Sequence, residues 1–259
     1  MSDAALPLTL AGIRGLPEVT PGTDLAALLI AALGTMPPAP LERDVLVIAQ
    51  KIVSKAEGRL VDLASVVPGA RAQELAAITR KDARLVEVIL SESTEVVRAT
   101  LNVLIVRHRL GFVLANAGVD RSNVMSAAAR EPVLLLPRDP DASAAALRTA
   151  LQHHFGAAPG VIVSDSFGRP WRMGVVNVAL GAAGVPALLN RRGEPDRSGR
   201  PLQVTEVAIA DALAAAAGLV MGEAAEGVPA VLIRGLQIGA TAHCDARSLI
   251  RPLAEDLFR

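Results

Sequence analysis

The sequence predicts a fold of mixed helices and strands in irregular alternation, built as one large domain or two lobes. Three observations carry this. Short apolar runs read as strands, at 44–49, 101–106, 111–114, 161–163 and 230–233. Segments with helix caps, helical periodicity or strong alanine enrichment read as helices, at 24–36, 71–97, 141–154 and 207–221. An apolar content of 51% over 259 residues supplies a substantial core.

Taken in order, Asp24 to Met36 is an amphipathic helix, with Thr23 or Asp24 as its N-cap and Pro37-Pro38 closing it. Asp44 to Ala49 is a continuous apolar strand, followed by the polar stretch Gln50 to Arg59. Arg71 to about Val97 is helical and strongly charged, in two segments. Leu101–Val106 and Gly111–Leu114 form a hairpin through Arg107 to Leu110. Asp141-Ala-Ser143 caps a helix that runs to His154 and ends at Gly156, a left-handed terminator. Val161–Val163 is the next strand. Asn190 to Pro201, rich in Arg, Gly, Asp and Pro, is a loop or an insertion tip. Val207–Met221 is an Ala-rich helix and Ala230–Ile233 the strand after it. No repeat period is visible, and Pro132 to Pro140 is the best boundary between two lobes.

Composition excludes several classes. Twenty-six basic and 26 acidic residues cancel, so no global field favours nucleic acid or an anionic membrane. Aromatic residues at 2%, with no Tyr, leave little from which to build base-stacking platforms. Cys244 is the single cysteine, which excludes an internal disulfide and cannot by itself make a thiolate zinc site. The start, Met1 to Pro7, lacks the charged and apolar regions of a signal peptide, and Val207–Met221 is too short to span a bilayer and contains Asp211. A soluble cytoplasmic protein is expected, without nucleic-acid or membrane partners. No Gly-Lys dipeptide occurs, which excludes a Walker A loop. No two glycines stand two apart, which excludes the Gly-x-Gly-x-x-Gly dinucleotide fingerprint.

Three acidic, glycine-punctuated stretches stand out. In Ala115-Asn-Ala-Gly118-Val-Asp120-Arg-Ser-Asn123, an apolar run delivers a small-residue turn where Gly118 permits close backbone approach and Asn tolerates left-handed geometry. Asp120 and Asn123 there offer hard oxygen ligands beside freed backbone donors. Val161 to Arg169 is a short apolar strand ending in Asp165-Ser166 and a glycine turn. Met221-Gly222-Glu223-Ala-Ala-Glu226-Gly227-Val-Pro229 is the third. Each alone reads as a turn. Together they read as one convergent site suited to a metal-bound phosphate, because Mg²⁺ takes oxygen ligands and keeps substrate phosphates in its shell.

The order and spacing of several motifs resemble the coenzyme F420-0:γ-glutamyl ligase family, from about Gly15 to Gly235. They are Gly15-Leu16-Pro17, Lys51-Ile-Val-Ser54-Lys55-Ala-Glu57-Gly58-Arg59, the stretch Ala115–Asn123, and Ser164-Asp165-Ser166-Phe-Gly168-Arg169-Pro-Trp171-Arg172. Val204-Thr-Glu206-Val207-Ala-Ile-Ala-Asp211 and Met221-Gly222-Glu223 with Gly227-Val-Pro229 complete the set. The resemblance implies an α+β, two-lobed fold with mixed sheets, assembled as an intertwined homodimer. It implies GTP-dependent joining of L-glutamate to the lactyl carboxylate of F420-0, releasing GDP and phosphate. Two divalent ions, Mg²⁺ or Mn²⁺, and in some members K⁺, are implied as cofactors. Carried over by motif, Asp120, Asp165, Ser166 and Glu223 are the implied metal ligands, and Asp120, Asp165 and Lys55 the implied residues at the chemistry. Implied nucleotide contacts are Leu16, Pro17, Gln50, Lys51, Lys55 and Asn123, with Met221, Gly222, Glu223 and Gly227. Archaeal members often hold a Ser or Thr pair where Gln50-Lys51 stands. The chain ends at Arg259 without the nitroreductase-like domain of actinobacterial relatives, which implies a short glutamate tail.

These residue types fit the chemistry. A carboxylate must be activated before an amine can displace its oxygen, most simply as an acyl phosphate. Phosphoryl transfer then needs charge neutralisation and in-line positioning more than a protein nucleophile. Other readings stay open. Lys51 and Lys55 also read as solvated lysines on a strand edge, Glu57 as an orienter of Lys55 or a surface acid, and Arg169 and Arg172 as substrate anchors or partners of surface acids. Trp171 reads as a core or interface residue or as a stacking platform, His153-His154 as a structural helix end, and His108 and His243 lack metal-ligand spacing. Glu226 stands where relatives often have Asp. Asn190 to Arg200, often aromatic in relatives, leaves the acceptor open, so a ligase acting on another carboxylate and a non-catalytic GTP- or metal-binding module are the alternatives.

Overall fold

A computed structural model describes residues 7–122, 131–237 and 245–256. In chain order the elements are β1 (Thr9–Ile13), α1 (Leu25–Gly34), β2 (Val45–Ala49), α2 (Gln50–Ala56), β3 (Leu60–Asp62), α3 (Ala70–Thr79) and α4 (Ala83–Ser91). Then come β4 (Ser93–Thr100), β5 (Val103–His108), β6 (Val113–Ala115), β7 (Pro132–Leu134), α5 (Pro140–Phe155), β8 (Gly160–Arg169) and β9 (Arg172–Ala183). β10 (Leu188–Asn190), β11 (Glu206–Ala208), α6 (Ile209–Met221) and β12 (Ala230–Arg234) complete the series.

The continuous apolar runs explain the main sheet, ordered β1-β12-β2-β8-β9 and antiparallel except for the parallel pair β2–β8. Side chains alternate across a strand, so a run buried on both faces must be apolar throughout. Leu46 and Ile48 of β2, Val161 and Val163 of β8, and Ala230 and Leu232 of β12 face one cluster with α1 and α5. Val45 and Val47, Ile162, and Val231 and Ile233 face the opposite cluster, closed by α6. A third cluster packs α3 and α4 against β4–β5 and β7. Leu114, Leu136 and Leu180, with Phe112 and Phe167, form a small fourth one. This is a mixed α and β architecture with several sheets.

Caps fix the helix starts. Asp24 Oδ1 accepts from Ala27 N at 2.9 Å, as expected for α1. For α5 the cap is Asp139 and not Asp141, because Pro140 at the first helical position needs no donor bond and pre-sets φ. Asp141, freed from capping, accepts from Ala182 N and Ala246 N, each at 2.8 Å. Gly156 ends α5 at φ 72, as its position predicts.

Other expectations need correction. The charged segment is two helices only to Ser91; Ser93–Val97 belongs to β4, where β-branched Thr94, Val96 and Val97 pair with β5. Residues 103–108 and 113–115 do form the expected hairpin. The stretch after β2 is a helix, α2, so Lys51 and Lys55 are not on a strand edge. β8 does not stop at Asp165-Ser166; it continues to Arg169 in a long ribbon with β9, turning at Pro170-Trp171. Val207 lies in β11, ahead of α6. Residues 190–201 form an exposed excursion, as expected, between the short paired strands β10 and β11. No helix among the described residues is long and apolar enough to cross a membrane.

A buried charge cluster ties β5 to the segments that flank α2 and α4. Glu92 Oε2 accepts from Arg59 at 2.8 Å and Arg109 at 3.0 Å, with His108 Nε2 at 3.4 Å, and Arg59 also donates to Leu136 O at 2.9 Å. Burial pushes the Glu92 carboxyl up, but His108, Arg109 and Arg59 outweigh it and hold it at about 2.

Candidate active site

Four chain ends meet at one edge of the main sheet. β2 and β8 run parallel with Ala49 opposite Ser164, so β2 releases α2 beside Asp165, at the carboxyl end where ligands collect in parallel sheets. β1 ends at Ile13 opposite Ala230, which brings in the turn Leu16-Pro17. The loop leaving α6 returns to β12 here, with Ala49 N donating to Pro229 O at 2.8 Å. They enclose a cavity of about 590 Å³.

Its lining gathers most of the expected residues. Leu16 and Pro17 come from the first turn, Gln50, Lys51 and Lys55 from α2, and Asp165 and Ser166 from β8. Met221, Gly222, Glu223 and Gly227 close it from the third acidic loop. Lys51 and Lys55 stand four apart on α2, which puts them on one face. Gln50 is 1% exposed, and its Oε1 accepts from Ser54 Oγ at 2.8 Å, so its carboxamide is committed within the helix.

Asp120 arrives from the third cluster. Asn116, Ala117 and Gly118 make a left-handed turn with φ values of 53, 53 and 68. Gly118 is required there, since a Cβ would stand 2.7 Å from Leu136 Cδ2. The close approach is therefore to the core. The backbone donor of Asp120 expected to be free is also engaged: Asp120 N donates to Leu134 O at 3.0 Å, and Asp120 O accepts from Leu134 N at 2.8 Å. The carboxylate accepts from Lys51 Nζ at 2.6 Å, Ser122 N at 2.7 Å and Ser122 Oγ at 2.8 Å. Burial raises its pKa, yet Lys51 and Ser122 outweigh this and hold it below the ordinary 3.8.

Asp165 behaves in the opposite way. Burial pushes its carboxyl up to about 7; the Ser166 backbone N–H and the Lys51 charge pull it down, while the Asp120 and Glu223 charges push it up further. Asp165 thus feels the charges of two further carboxylates and one lysine. Among the described residues no group of three or more His, Cys, Asp or Glu forms a ready metal cage. The donor set still suits a hard divalent cation, whose charge would offset the burial and the repulsion that raise the Asp165 carboxyl.

Lys55 donates to Glu18 Oε1 at 2.5 Å. Glu18 and Ser122 were missed in the sequence; one follows Leu16-Pro17 directly, and the other sits two residues beyond Asp120. Asn123, Cys244 and His243 lie outside the described residues. The partners of several other residues are now visible. Glu57 accepts from Ser143 Oγ at 2.7 Å and Arg138 N at 2.9 Å, so it braces the start of α5 and does not orient Lys55. Arg169 donates to Met173 O at 3.2 Å within its own ribbon. Glu226 accepts from Ala224 N at 2.8 Å, capping its own loop. Trp171 is 89% exposed at the ribbon turn, not in the core. His108 is buried beside Glu92 and His153-His154 ends α5.

The model of the F420-0:γ-glutamyl ligase family matches residues 12–235. The coenzyme F420:L-glutamate ligase of Methanothermobacter thermautotrophicus is 46% identical over 253 residues, covering 97% of this chain and 99% of that protein. The protein of the same name from Methanopyrus kandleri is 48% identical over 246 residues, 93% of this chain and 94% of its own. That from Methanocaldococcus jannaschii is 46% identical over 216 residues, 83% and 84% respectively. Matched over nearly its whole length, the chain belongs to the F420-0:γ-glutamyl ligase family, a family of enzymes.

Proposed function

We propose that this protein joins L-glutamate to the lactyl carboxylate of F420-0 with GTP as co-substrate, releasing GDP and phosphate, in the cytoplasm. The observation that carries this reading is the convergence of Asp165-Ser166, the loop from Met221 to Gly227 and two helical lysines on one cavity, with Asp120 paired to Lys51 at 2.6 Å, in a chain matched over residues 12–235 to this ligase family. Asp120, Asp165, Ser166 and Glu223 would hold the divalent ions, Mg²⁺ or Mn²⁺, with K⁺ as a further ion. When bound, these ions neutralise phosphate charge and align the β- and γ-oxygens.

Lys51 and Lys55 place point charges against the phosphates. The turn Leu16-Pro17, Asn123 and the loop from Met221 to Gly227 hold the nucleotide. The F420-0 carboxylate takes the γ-phosphoryl group to give an acyl phosphate, and the glutamate amine then displaces phosphate. Holding the two reactants aligned in a site that excludes water supplies roughly 7–11 kcal/mol.

The chain is further proposed to act as a homodimer. The outer part of the β8–β9 ribbon supports this, with Trp171 89%, Met173 97% and Val175 50% exposed. Separate hydrophobic clusters support two lobes, meeting near 132–140. Glutamate-dependent GDP release, measured with F420-0 and with a panel of other carboxylates, tests the activity. Release with F420-0 alone is expected; equal release with unrelated carboxylates would make the chain a ligase of other acceptors.

A further inference from the structure

The turn that carries Leu16 and Pro17 also delivers a carboxylate to the cation expected to meet phosphate. Lys55 Nζ lies 2.5 Å from Glu18 Oε1, and both residues line the cavity. Two features mark this contact as built. Val19 is 4% exposed and Leu16 packs against the same hydrophobic cluster, so the backbone on either side of Glu18 is pinned. The two side chains are unequal: that of Lys55 is 12% exposed and that of Glu18 is 52% exposed. The lysine is held in place by the helix and its surroundings, while the acid can swing out to water at little cost in solvation.

We propose that Glu18 is an intramolecular stand-in for a nucleotide phosphate: it neutralises Lys55 in the free protein and leaves when the phosphate arrives. A partly buried ammonium needs a counter-charge, and a phosphate that arrives beside it is repelled by the Glu18 carboxylate already there. Nucleotide binding is then an exchange of one anion for another, and the affinity observed is the difference between the two. Glu18 thereby limits how tightly GTP is held. This inference rests on the assignment of Lys55 to the phosphates.

The test is isothermal titration of GTP into the full chain with Mg²⁺, without glutamate or acceptor, for wild type, Glu18→Gln, Lys55→Met and the double variant. Glu18→Gln is expected to bind GTP about threefold to fivefold tighter, the range of a partly exposed ion pair. Lys55→Met is expected to bind more weakly, and the gain from Glu18→Gln should vanish in its background. Glu18→Ala serves as a second probe should Gln retain a hydrogen bond, and melting curves confirm that each variant is folded. Weaker binding by Lys55→Met together with unchanged or weaker binding by both Glu18 variants overturns the stand-in role and leaves the nucleotide site intact. Wild-type affinity in Lys55→Met overturns the phosphate assignment, and the inference falls with it.

Discussion

Asp165 is expected to oppose folding in the metal-free protein and to be needed once metal and nucleotide bind. Its carboxyl titrates at about 7 in the fold against an ordinary 3.8. An acid whose pKa rises on folding lowers stability wherever the unfolded chain would have released its proton. The penalty is therefore absent below about pH 4, grows between about 4 and 7, and is complete above about 7. At about 1.4 kcal/mol per pH decade, its ceiling is on the order of 4 kcal/mol. Asp165 keeps some accessible surface toward the cavity, so roughly 2–4 kcal/mol is the working range. Asn replaces the carboxylate without charge and keeps an oxygen to accept from Ser166 N. In chelator-treated protein at about pH 8, Asp165→Asn should melt roughly 5–15 °C higher than wild type, at about 2–4 °C per kcal/mol for a chain of this size. At about pH 4 the difference should shrink to about 0.5 kcal/mol, since the acid is then neutral in the folded chain and only about half ionised in the unfolded one. Saturating Mn²⁺ should raise the wild-type melting point and not that of the variant. A variant that melts with or below wild type at the higher pH would refute the electrostatic reasoning.

Three further outcomes are expected. Lys51→Met removes the cation that faces Asp120 and Asp165, and should destabilise the metal-free protein by about 1–3 kcal/mol in urea melts, with much of the loss restored by Mn²⁺. Glu92, held at about 2, contributes stability that is present above its ordinary 4.5 and is lost as pH falls from there toward 2; Glu92→Gln should cost about 3–5 kcal/mol near neutrality and flatten that acid limb in pH-dependent melts. Gly118→Ala must accept φ +68 and a Cβ 2.7 Å from Leu136 Cδ2, and should lose about 2–4 kcal/mol; an unchanged denaturation midpoint would show that the turn relaxes freely.

The sequence made the acidic loops legible because each is contiguous: Asp165-Ser166 and Met221 to Gly227 sit in single short stretches whose residue types name their chemistry. The apolar runs of β2, β8 and β12 were legible for a similar reason, since burial on both faces leaves no polar position to confuse them. What stayed hidden depends on partners far along the chain. Gln50–Ala56 has Ile-Val at its centre and only 7 residues, so local propensity says little; it is helical because Ile52 and Val53 pack into the first cluster. Ser93–Val97 continues a helical pattern in charge but is captured by β5. The pair Asp44–Arg234, at 2.7 Å, joins residues 190 apart and fixes β2 against β12. Nor could spacing reveal that Lys51 would reach Asp120 or Lys55 would reach Glu18.

The most direct measurement of the central claim is mass spectrometry of F420-0 incubated with the protein, L-glutamate, GTP and Mn²⁺, beside the same mixture with Asp165→Asn. The account predicts a product heavier by one or a few glutamyl units, dependent on GTP and absent with the folded variant. An unchanged F420-0 mass with wild type, or an equal yield from Asp165→Asn, would contradict it.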